Sequence, residues 1–263
     1  MKLCRFAPLD SSPNDASHAA MAGLIEESSV FEIRGELWGA RERTGRKWPL
    51  DKINFLAPSV PSKIVCVGRN YRDHIAELSN PVPKEPLTFF KPPSSIIPTG
   101  EAIVLPRASQ NVHYEGELAL IVGRRCFHLR PSDDYRDYIA GYTPLNDVTA
   151  RDLQKTDNQW TRAKGFDTFC PLGPVMETDH PAPETFVETV VNGVRKQSAP
   201  ISEMIFSLDV IIRWISQVMT LEPGDVIATG TPAGVGPLVA DDVVEVSIDG
   251  IGTLRNAVIA QQD

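Results

Sequence analysis

The segment Val112-His-Tyr-Glu-Gly-Glu-Leu-Ala-Leu-Ile-Val122 places two carboxylates directly before an apolar run. The apolar run, residues 118–122, indicates a buried strand. If residues 112–122 form one strand, Glu115 and Glu117 project from the same face, because side chains alternate along a strand. Gly116 between them allows another group to approach closely. The segment therefore predicts a buried strand that carries a pair of carboxylates.

Short β-branched runs recur along the chain, and several alternate apolar and polar residues with the period of a half-buried strand. They are Lys63–Val67, Ala102–Leu105, Leu118–Val122, Phe186–Val191, Val226–Thr229 and Val243–Ile248. Nine of the 22 prolines lie between residues 58 and 106, where they exclude long helices. We therefore predict a predominantly β (α+β) fold.

Helical periodicity is confined to a few places, which predicts only a few covering helices. It is clearest at Ser202–Met219, where Ser202 and Glu203 are expected to start the helix. Shorter helices are predicted at Ser17–Glu27 and Tyr71–Leu78. The composition changes near Leu56–Pro61, so we predict a small N-terminal region at residues 1–57 and a catalytic domain at residues 58–263.

The composition excludes several classes of protein. The net charge is −8 and no basic cluster stands out, which argues against a nucleic-acid partner. No apolar stretch is long enough to span a membrane, and the first ten residues lack the apolar core of a signal peptide. The four cysteines are scattered without a Cys-x-x-Cys pair, as is usual in a reducing compartment. We expect a cytoplasmic protein that has no membrane partner.

Three carboxylates are candidate metal ligands. Glu115 and Glu117 would repel one another unless a cation or a proton intervened, and Asp147 could add a third group of oxygens. Oxygen ligands select Mg²⁺, Mn²⁺ or Ca²⁺ rather than zinc. Each residue also has an ordinary structural explanation. The glutamates could form the solvated face of an edge strand, and Asp147 could cap a short helix beginning at Val148.

Further polar residues stand where a substrate site could use them. Arg151 and Gln154 follow Asp147 by about one helical turn and would face the same cavity. Lys164, close to Phe166 and Phe169, could bind a substrate carboxylate or stabilise an enolate, or it could merely cover apolar surface.

Two more segments could contribute to catalysis. His74 and Glu77 are three residues apart, so a helix would place them on one face, where they could activate a water or form an ordinary surface pair. The glycines of the turn at residues 230–236 would let backbone N–H groups and Thr231 approach a small ligand.

Taken together and in this order, six motifs resemble the fumarylacetoacetate hydrolase superfamily over about residues 60–260. They are Gly68-Arg-Asn-Tyr71, Lys91-Pro-Pro-Ser-Ser95, His113-Tyr-Glu-Gly-Glu-Leu-Ala119, Asn146-Asp-Val-Thr-Ala-Arg-Asp-Leu-Gln154, Lys164-Gly-Phe-Asp167 and Gly230-Thr-Pro-Ala-Gly-Val-Gly236. Residues 1–57 resemble the short N-terminal extension of bacterial members.

The resemblance implies a mixed β-sandwich roll, a homodimer and a Mg²⁺ or Mn²⁺ ion. The ion would be held by Glu115, Glu117 and Asp147. The resemblance further implies catalytic roles for His74 and Glu77, in a mobile lid, and for Lys164. The implied substrate contacts are Arg69, Tyr71, Arg151, Gln154 and Thr231.

The implied reaction is hydrolysis of a C–C bond in a small 3-acylpyruvate or fumarylpyruvate-like diketo acid, through an enolate stabilised by the metal. The alternative is an oxaloacetate decarboxylase or tautomerase, or a 2-hydroxyhepta-2,4-diene-1,7-dioate isomerase, acting at the same site. A keto-acid binding protein without catalysis is a third possibility. The set of candidate acid–base groups disfavours it.

Overall fold

A computed structural model describes residues 1–9, 20–79 and 81–262, and strands dominate it. The strands are β1 Lys2–Pro8, β2 Met21–Glu26, β3 Ser29–Arg34, β4 Glu42–Pro49, β5 Ile53–Leu56, β6 Ile64–Gly68, β7 Leu87–Lys91, β8 Ile96–Ile97, β9 Ile103–Leu105, β10 Val112–Tyr114, β11 Gly116–Val122, β12 Ile139–Asn146, β13 Thr149–Ala150, β14 Cys170–Pro171, β15 Met176–Glu177, β16 Phe186–Val191, β17 Val194–Pro200, β18 Val226–Ala228, β19 Gly236–Pro237, β20 Val243–Ile248 and β21 Gly252–Ala260. The helices are α1 Arg72–Glu77, α2 Arg151–Thr156, α3 Thr161–Lys164 and α4 Leu208–Val218. The predicted β-rich fold with a few helices is confirmed.

The largest sheet in the described part of the chain has eleven strands, in the order β4-β3-β2-β1-β15-β12-β11-β18-β6-β7, with β5 also paired to β1. At its centre, β11 pairs antiparallel with both β12 and β18. Every residue of β11 is buried, as the apolar run predicted. The N-terminal strands join this sheet where β1 pairs with β15, through Lys2 opposite Glu177 and Leu3 opposite Met176.

Three smaller sheets complete the described fold. Their orders are β17-β16-β20-β21-β9, β13-β10-β19 and β14-β8. Because β10 belongs to the three-stranded sheet and β11 to the largest one, Glu115 lies where the chain passes from one sheet to another. The single strand predicted over residues 112–122 is therefore wrong, since the chain divides it into two.

Helix α1 and the six predicted strands are present, with ends shifted by a residue or two. The predicted start of the last helix is wrong. Ile201–Glu203 form a 3₁₀ turn, and α4 begins at Leu208 because the Ser207 side chain accepts a hydrogen bond from the Val210 N–H. None of the helices in the described ranges has the length and apolarity needed to cross a membrane.

The helix predicted at Ser17–Glu27 is also wrong where the structure describes it. Its residues 17–19 lie outside the described residues, and Met21–Glu26 form strand β2 between β1 and β3. Gly23 explains this close pairing, since a Cβ there would lie 2.3 Å from Val30 Cγ1. Packing between strands thus overrides the local helical pattern.

Candidate functional site

One cavity of about 560 Å³ gathers nearly all of the predicted site residues. It is lined by Arg69, His74, Glu77, Glu115, Glu117, Asp147, Arg151, Gln154, Lys164 and Thr231, together with Val67, Gly68, Leu78, Ser79, Phe89, Lys155 and Trp160. Tyr71 is not among the lining residues. Its side chain is buried, and its hydroxyl has no hydrogen-bond partner in the described part of the chain.

The carboxylates of Glu115, Glu117 and Asp147 form the base of the cavity. Each offers an oxygen within 4.8 Å of the others, and all three residues are buried. Pairing of β11 with β12 sets Gly116 opposite Asn146, which brings the flanking acids together. The Asp147 N–H donates to the Glu115 carbonyl at 2.8 Å, and the Glu115 N–H donates to Asn146 Oδ1 at 2.9 Å. Backbone pairing therefore assembles the acidic cluster.

Neither a solvated strand face nor a helix cap, the alternatives that the sequence allowed, describes these three acids. Glu115 and Glu117 are 5% and 2% exposed, so they do not form a solvated face. Asp147 does not cap α2, because Ala150 occupies the position before that helix and makes no side-chain capping bond. Instead, Asp147 binds two lysines, Lys91 and Lys164.

Buried cations surround the acidic cluster. Lys91 Nζ lies 2.7 Å from Asp147 Oδ1, while Lys164 Nζ lies 2.5 Å from Asp147 Oδ2 and 2.8 Å from Glu115 Oε2. Arg151 donates to the other oxygen of Glu115. Burial alone would raise the pKa of Glu115, but Lys164 and Arg151 hold this pKa well below its usual range. Glu115 is therefore charged in the absence of any added ion.

Glu117 differs from its two neighbours. It accepts a hydrogen bond from the Gly230 N–H at 2.7 Å, and no ion pair to it is present among the described residues. Burial, followed by the nearby charges of Asp147 and Glu115, raises the pKa of Glu117 well above its usual value. A divalent cation next to this carboxyl would favour its ionised form. The three carboxylates offer only oxygen ligands, and Glu117 has no ion-pair partner among the described residues. The cluster therefore fits a hard divalent metal ion.

The Glu77 carboxylate connects the first helix to the glycine-rich turn. Glu77 Oε2 lies 3.2 Å from His74 Nδ1, while Glu77 Oε1 accepts a hydrogen bond from the Gly234 N–H at 3.1 Å. The Tyr114 hydroxyl donates to the Gly234 carbonyl at 2.8 Å. Burial and Glu77 raise the pKa of Tyr114 to about 12, which keeps its hydroxyl proton in place. Helix α1 is thus fastened over the cavity with His74 directed to it.

The remaining predicted residues surround this centre. Arg151 Nη1 donates to Gln154 Oε1 at 2.5 Å, so the two residues act as one polar unit. Thr231 Oγ1 donates to the Gly116 carbonyl at 2.9 Å. Arg69 lines the cavity from a backbone conformation with φ of 58°. Phe89 and Trp160 form an apolar wall, with ring centroids 5.2 Å apart in an edge-on arrangement.

Three polar residues that bind the lining residues or the backbone near them were not predicted from the sequence. Lys91 binds Asp147, and a lysine ending the apolar run 87–90 within a recognised motif was the signal available for it. Asn70 donates to the carbonyls of Phe206 and Thr229 and so holds the start of the glycine-rich turn. Gln197 binds Thr231 from a distant strand, and no local pattern marks it.

Two protein-family models match consecutive parts of the chain. The model for the fumarylacetoacetate (FAA) hydrolase C-terminal domain matches residues 63–259, and a model described as Rv2993c-like, N-terminal, matches residues 1–58. The chain therefore belongs to the fumarylacetoacetate hydrolase family, and it is an enzyme. Members of this family act on small acids.

Similar proteins include one from a bacterium and a mitochondrial enzyme from an animal. Protein Rv2993c of Mycobacterium tuberculosis is 48% identical over 98% of both chains. The mitochondrial oxaloacetate tautomerase fahd2 of Xenopus laevis is 42% identical, over 79% of this chain and 69% of its own length.

Solved structures confirm the fold. The 5-carboxymethyl-2-hydroxymuconate delta-isomerase from Mycobacterium smegmatis is 42% identical and superposes with a TM-score of 0.90, covering 99% of this chain and 100% of that one. The maleylpyruvate hydrolase from Sphingobium sp. SYK-6, in complex with manganese (II) ion and pyruvate, is 27% identical with a TM-score of 0.80 over the full length of both chains.

Proposed function

We propose that this enzyme binds Mg²⁺ or Mn²⁺ through Glu115, Glu117 and Asp147 and hydrolyses a C–C bond of a small acylpyruvate or fumarylpyruvate-like diketo acid. The observation that carries this proposal is the His74–Glu77 pair, which borders the same cavity as the three buried carboxylates. When bound there, the metal ion would supply Lewis acidity towards the 2-oxo acid. The manganese and pyruvate bound to the maleylpyruvate hydrolase support this choice of ion and substrate class.

The charges at the base of the cavity support an anionic substrate. The carboxylates of Glu115, Glu117 and Asp147 face the cations of Lys91, Lys164 and Arg151, so the cluster is close to neutral once all three acids are ionised. A divalent cation would leave two positive charges, which a dicarboxylate or an enolate can offset. Arg69 and Lys155 add positive charge at the cavity wall.

The chain's own groups have distinct roles in the proposed reaction. His74 Nδ1 is held by Glu77, which leaves Nε2 to take a proton from a water that attacks the distal carbonyl. The Lys164 ammonium borders the cavity and would stabilise the negative charge that develops on the departing pyruvate enolate. Helix α1, fastened at Gly234, would exclude bulk water from these steps.

The cavity volume also bears on the choice of substrate. At about 560 Å³ it lies within the roughly 300–1,000 Å³ range of small-molecule sites and exceeds what a four-carbon acid fills. The apolar wall of Phe89 and Trp160 gives a longer diketo acid a surface to contact.

Tautomerisation of oxaloacetate is a second candidate function. The 42% identity with an oxaloacetate tautomerase favours it. Proton transfer at the carbon beside the keto group requires a base such as His74 but no attacking water, so the same residues could perform it.

A substrate panel tests these alternatives. The chelator-treated enzyme would be given Mg²⁺ or Mn²⁺ together with acetylpyruvate, fumarylpyruvate, oxaloacetate or 2-hydroxyhepta-2,4-diene-1,7-dioate, and the products followed by NMR. We expect pyruvate and a second acid from the diketo substrates. Exchange of oxaloacetate tautomers without C–C cleavage would establish the second candidate instead, and full turnover in metal-free buffer would overturn the metal assignment.

The homodimer stays a prediction, as do the cytoplasmic location and the division at residue 57. Light scattering after size-exclusion chromatography measures the oligomeric state directly.

A further inference from the structure

Gln197 is buried on a strand whose neighbouring side chains face solvent. It lies on β17 and is 1% exposed, whereas Lys196 and Ser198 on either side are exposed. The pairing of β16 with β17 shifts register beside Thr189, which leaves Lys196 without a partner across the ladder. Such a bulge redirects the side chains next to it. The Gln197 amide points inward, towards the Gly116 backbone between the two glutamates.

The Gln197 amide makes three hydrogen bonds there. Its Oε1 accepts from the Gly116 N–H at 3.0 Å, and its Nε2 donates to Thr231 Oγ1 at 2.7 Å and to the Pro232 carbonyl at 2.8 Å. Only one orientation of the amide satisfies these partners, because the Gly116 N–H can only donate and the Pro232 carbonyl can only accept. The contact is therefore specific for a glutamine.

The Gly116 peptide is held on both sides by this network. Gln197 binds its N–H, while Thr231 Oγ1 donates to its carbonyl at 2.9 Å. A Cβ at Gly116 would lie 2.1 Å from Thr189 Oγ1 and 3.3 Å from Gln197 Oε1, so the peptide fits closely against β16 and β17. Gly116 is the single residue between the metal-ligand candidates Glu115 and Glu117. Its orientation therefore fixes the directions in which both carboxylates point.

We propose that Gln197 is a positioning residue of the metal centre, setting the spacing of the Glu115 and Glu117 carboxylates through the Gly116 peptide. The inference rests on the metal site of the proposed function. Gln197 itself is not among the residues that line the cavity. It orients the ligands without binding the ion, and removing a residue of this kind typically lowers metal affinity about 10–100-fold.

The test measures Mn²⁺ affinity rather than turnover. The Kd of chelator-treated protein for Mn²⁺ would be determined by calorimetry and by the electron paramagnetic resonance signal of free Mn²⁺. Gln197→Met keeps the length and volume of the side chain and removes its polar atoms. We expect its Kd to rise about 10–100-fold.

A matched control separates positioning from general destabilisation. Asn256 on β21 is also a buried amide, 2% exposed, and it donates to the carbonyls of Pro98 and Glu101 at 2.9 and 2.8 Å. Asn256→Leu removes a comparable set of hydrogen bonds away from the cavity. We expect it to lower the melting temperature while changing the Kd for Mn²⁺ by less than about twofold.

Thr231→Val is a second test variant, because it removes the Thr231 hydroxyl that binds both Gln197 and the Gly116 carbonyl. We expect Thr231→Val to raise the Kd for Mn²⁺ too, and the double variant with Gln197→Met to lose less affinity than the sum of the two single variants.

An unchanged Kd in both single variants overturns the inference, as does an equal loss of affinity in Asn256→Leu. If wild-type protein binds no Mn²⁺, the proposed function and the inference fail together. If wild-type protein binds Mn²⁺ and Gln197→Met raises the Kd, but no keto acid is turned over, only the proposed reaction fails.

Discussion

Glu77 and Gly234 are joined by a hydrogen bond of 3.1 Å from the Gly234 N–H to Glu77 Oε1, although 157 residues separate them in the chain. The bond ties the first helix to the glycine-rich turn. Because the other oxygen of Glu77 lies against His74, the position of the imidazole depends on this contact.

Tyr114→Phe should loosen that contact, since the Tyr114 hydroxyl donates to the carbonyl of the same Gly234. We expect kcat to fall about fivefold while the Kd for Mn²⁺ stays the same, because a loss near 1 kcal/mol is typical for one hydrogen bond. Steady-state kinetics and calorimetry measure the two quantities. Tyr135→Phe also removes one hydroxyl contact, to His180, and serves as the control without an effect on kcat. A normal kcat for Tyr114→Phe would show that the contact does not position His74.

His74→Ala tests the proposed base directly. Hydrolysis of acetylpyruvate should fall by about 10²–10⁴-fold, the usual contribution of a general base, and Mn²⁺ binding should persist because His74 is not a ligand. Rates from NMR and affinities from calorimetry would be compared. A variant that retains its full hydrolytic rate would exclude His74 from water activation.

Metal binding should release a proton from Glu117. Its pKa is raised by burial and by the neighbouring carboxylates, so below that pKa the metal-free protein carries a proton that the ion must displace. Affinity for Mn²⁺ should therefore increase with pH, by up to about tenfold per pH unit below the raised pKa. Calorimetry in buffers of different ionisation enthalpy counts the protons. Glu117→Gln should bind weakly and with a shallower pH dependence, and an equally steep dependence would assign the proton to another group.

Asp225 should stabilise the fold without affecting the metal site. Its buried carboxylate accepts from the N–H groups of Ser62, Lys63 and Glu222 and pairs with Lys63 Nζ at 2.5 Å. Asp225→Ala leaves these donors unpaired, and we expect about 3–5 kcal/mol lower free energy of unfolding in urea. Glu222→Ala, which removes only an exposed pair with Arg125, should change it by less than about 1 kcal/mol. A loss below 1 kcal/mol in Asp225→Ala would contradict this assignment.

The sequence allowed prediction of what depends on local pattern. Period-two alternation located strands such as Val243–Ile248, and every predicted site residue except Tyr71 lines the cavity, whereas the lining residue Lys155 was not predicted. Gly116 was expected to allow a close approach, and Thr189 and Gln197 make that approach.

Features that depend on long-range pairing could not be predicted. The change of sheet at Glu115 follows from contacts with Asn146 and Asp147, about thirty residues further along the chain. Residues 21–26 carry a helical pattern, yet they form a strand because β1 and β3 lie on either side. The role of Gln197 could not be predicted, since it depends on hydrogen bonds to Gly116 and Thr231, which lie far from it in the chain.

The base and the wall of the cavity are built from different kinds of structure. Glu117 stands on β11, and Glu115 and Asp147 directly adjoin the paired strands β11 and β12, whereas Arg69, Lys155 and Trp160 stand on loops and short helices. A change in the wall leaves strand pairing at the base intact, so contacts with a substrate can change by mutation without loss of the acidic cluster. The wall and the base can therefore change separately, which fits the finding that relatives described as a tautomerase, an isomerase and a hydrolase resemble this chain.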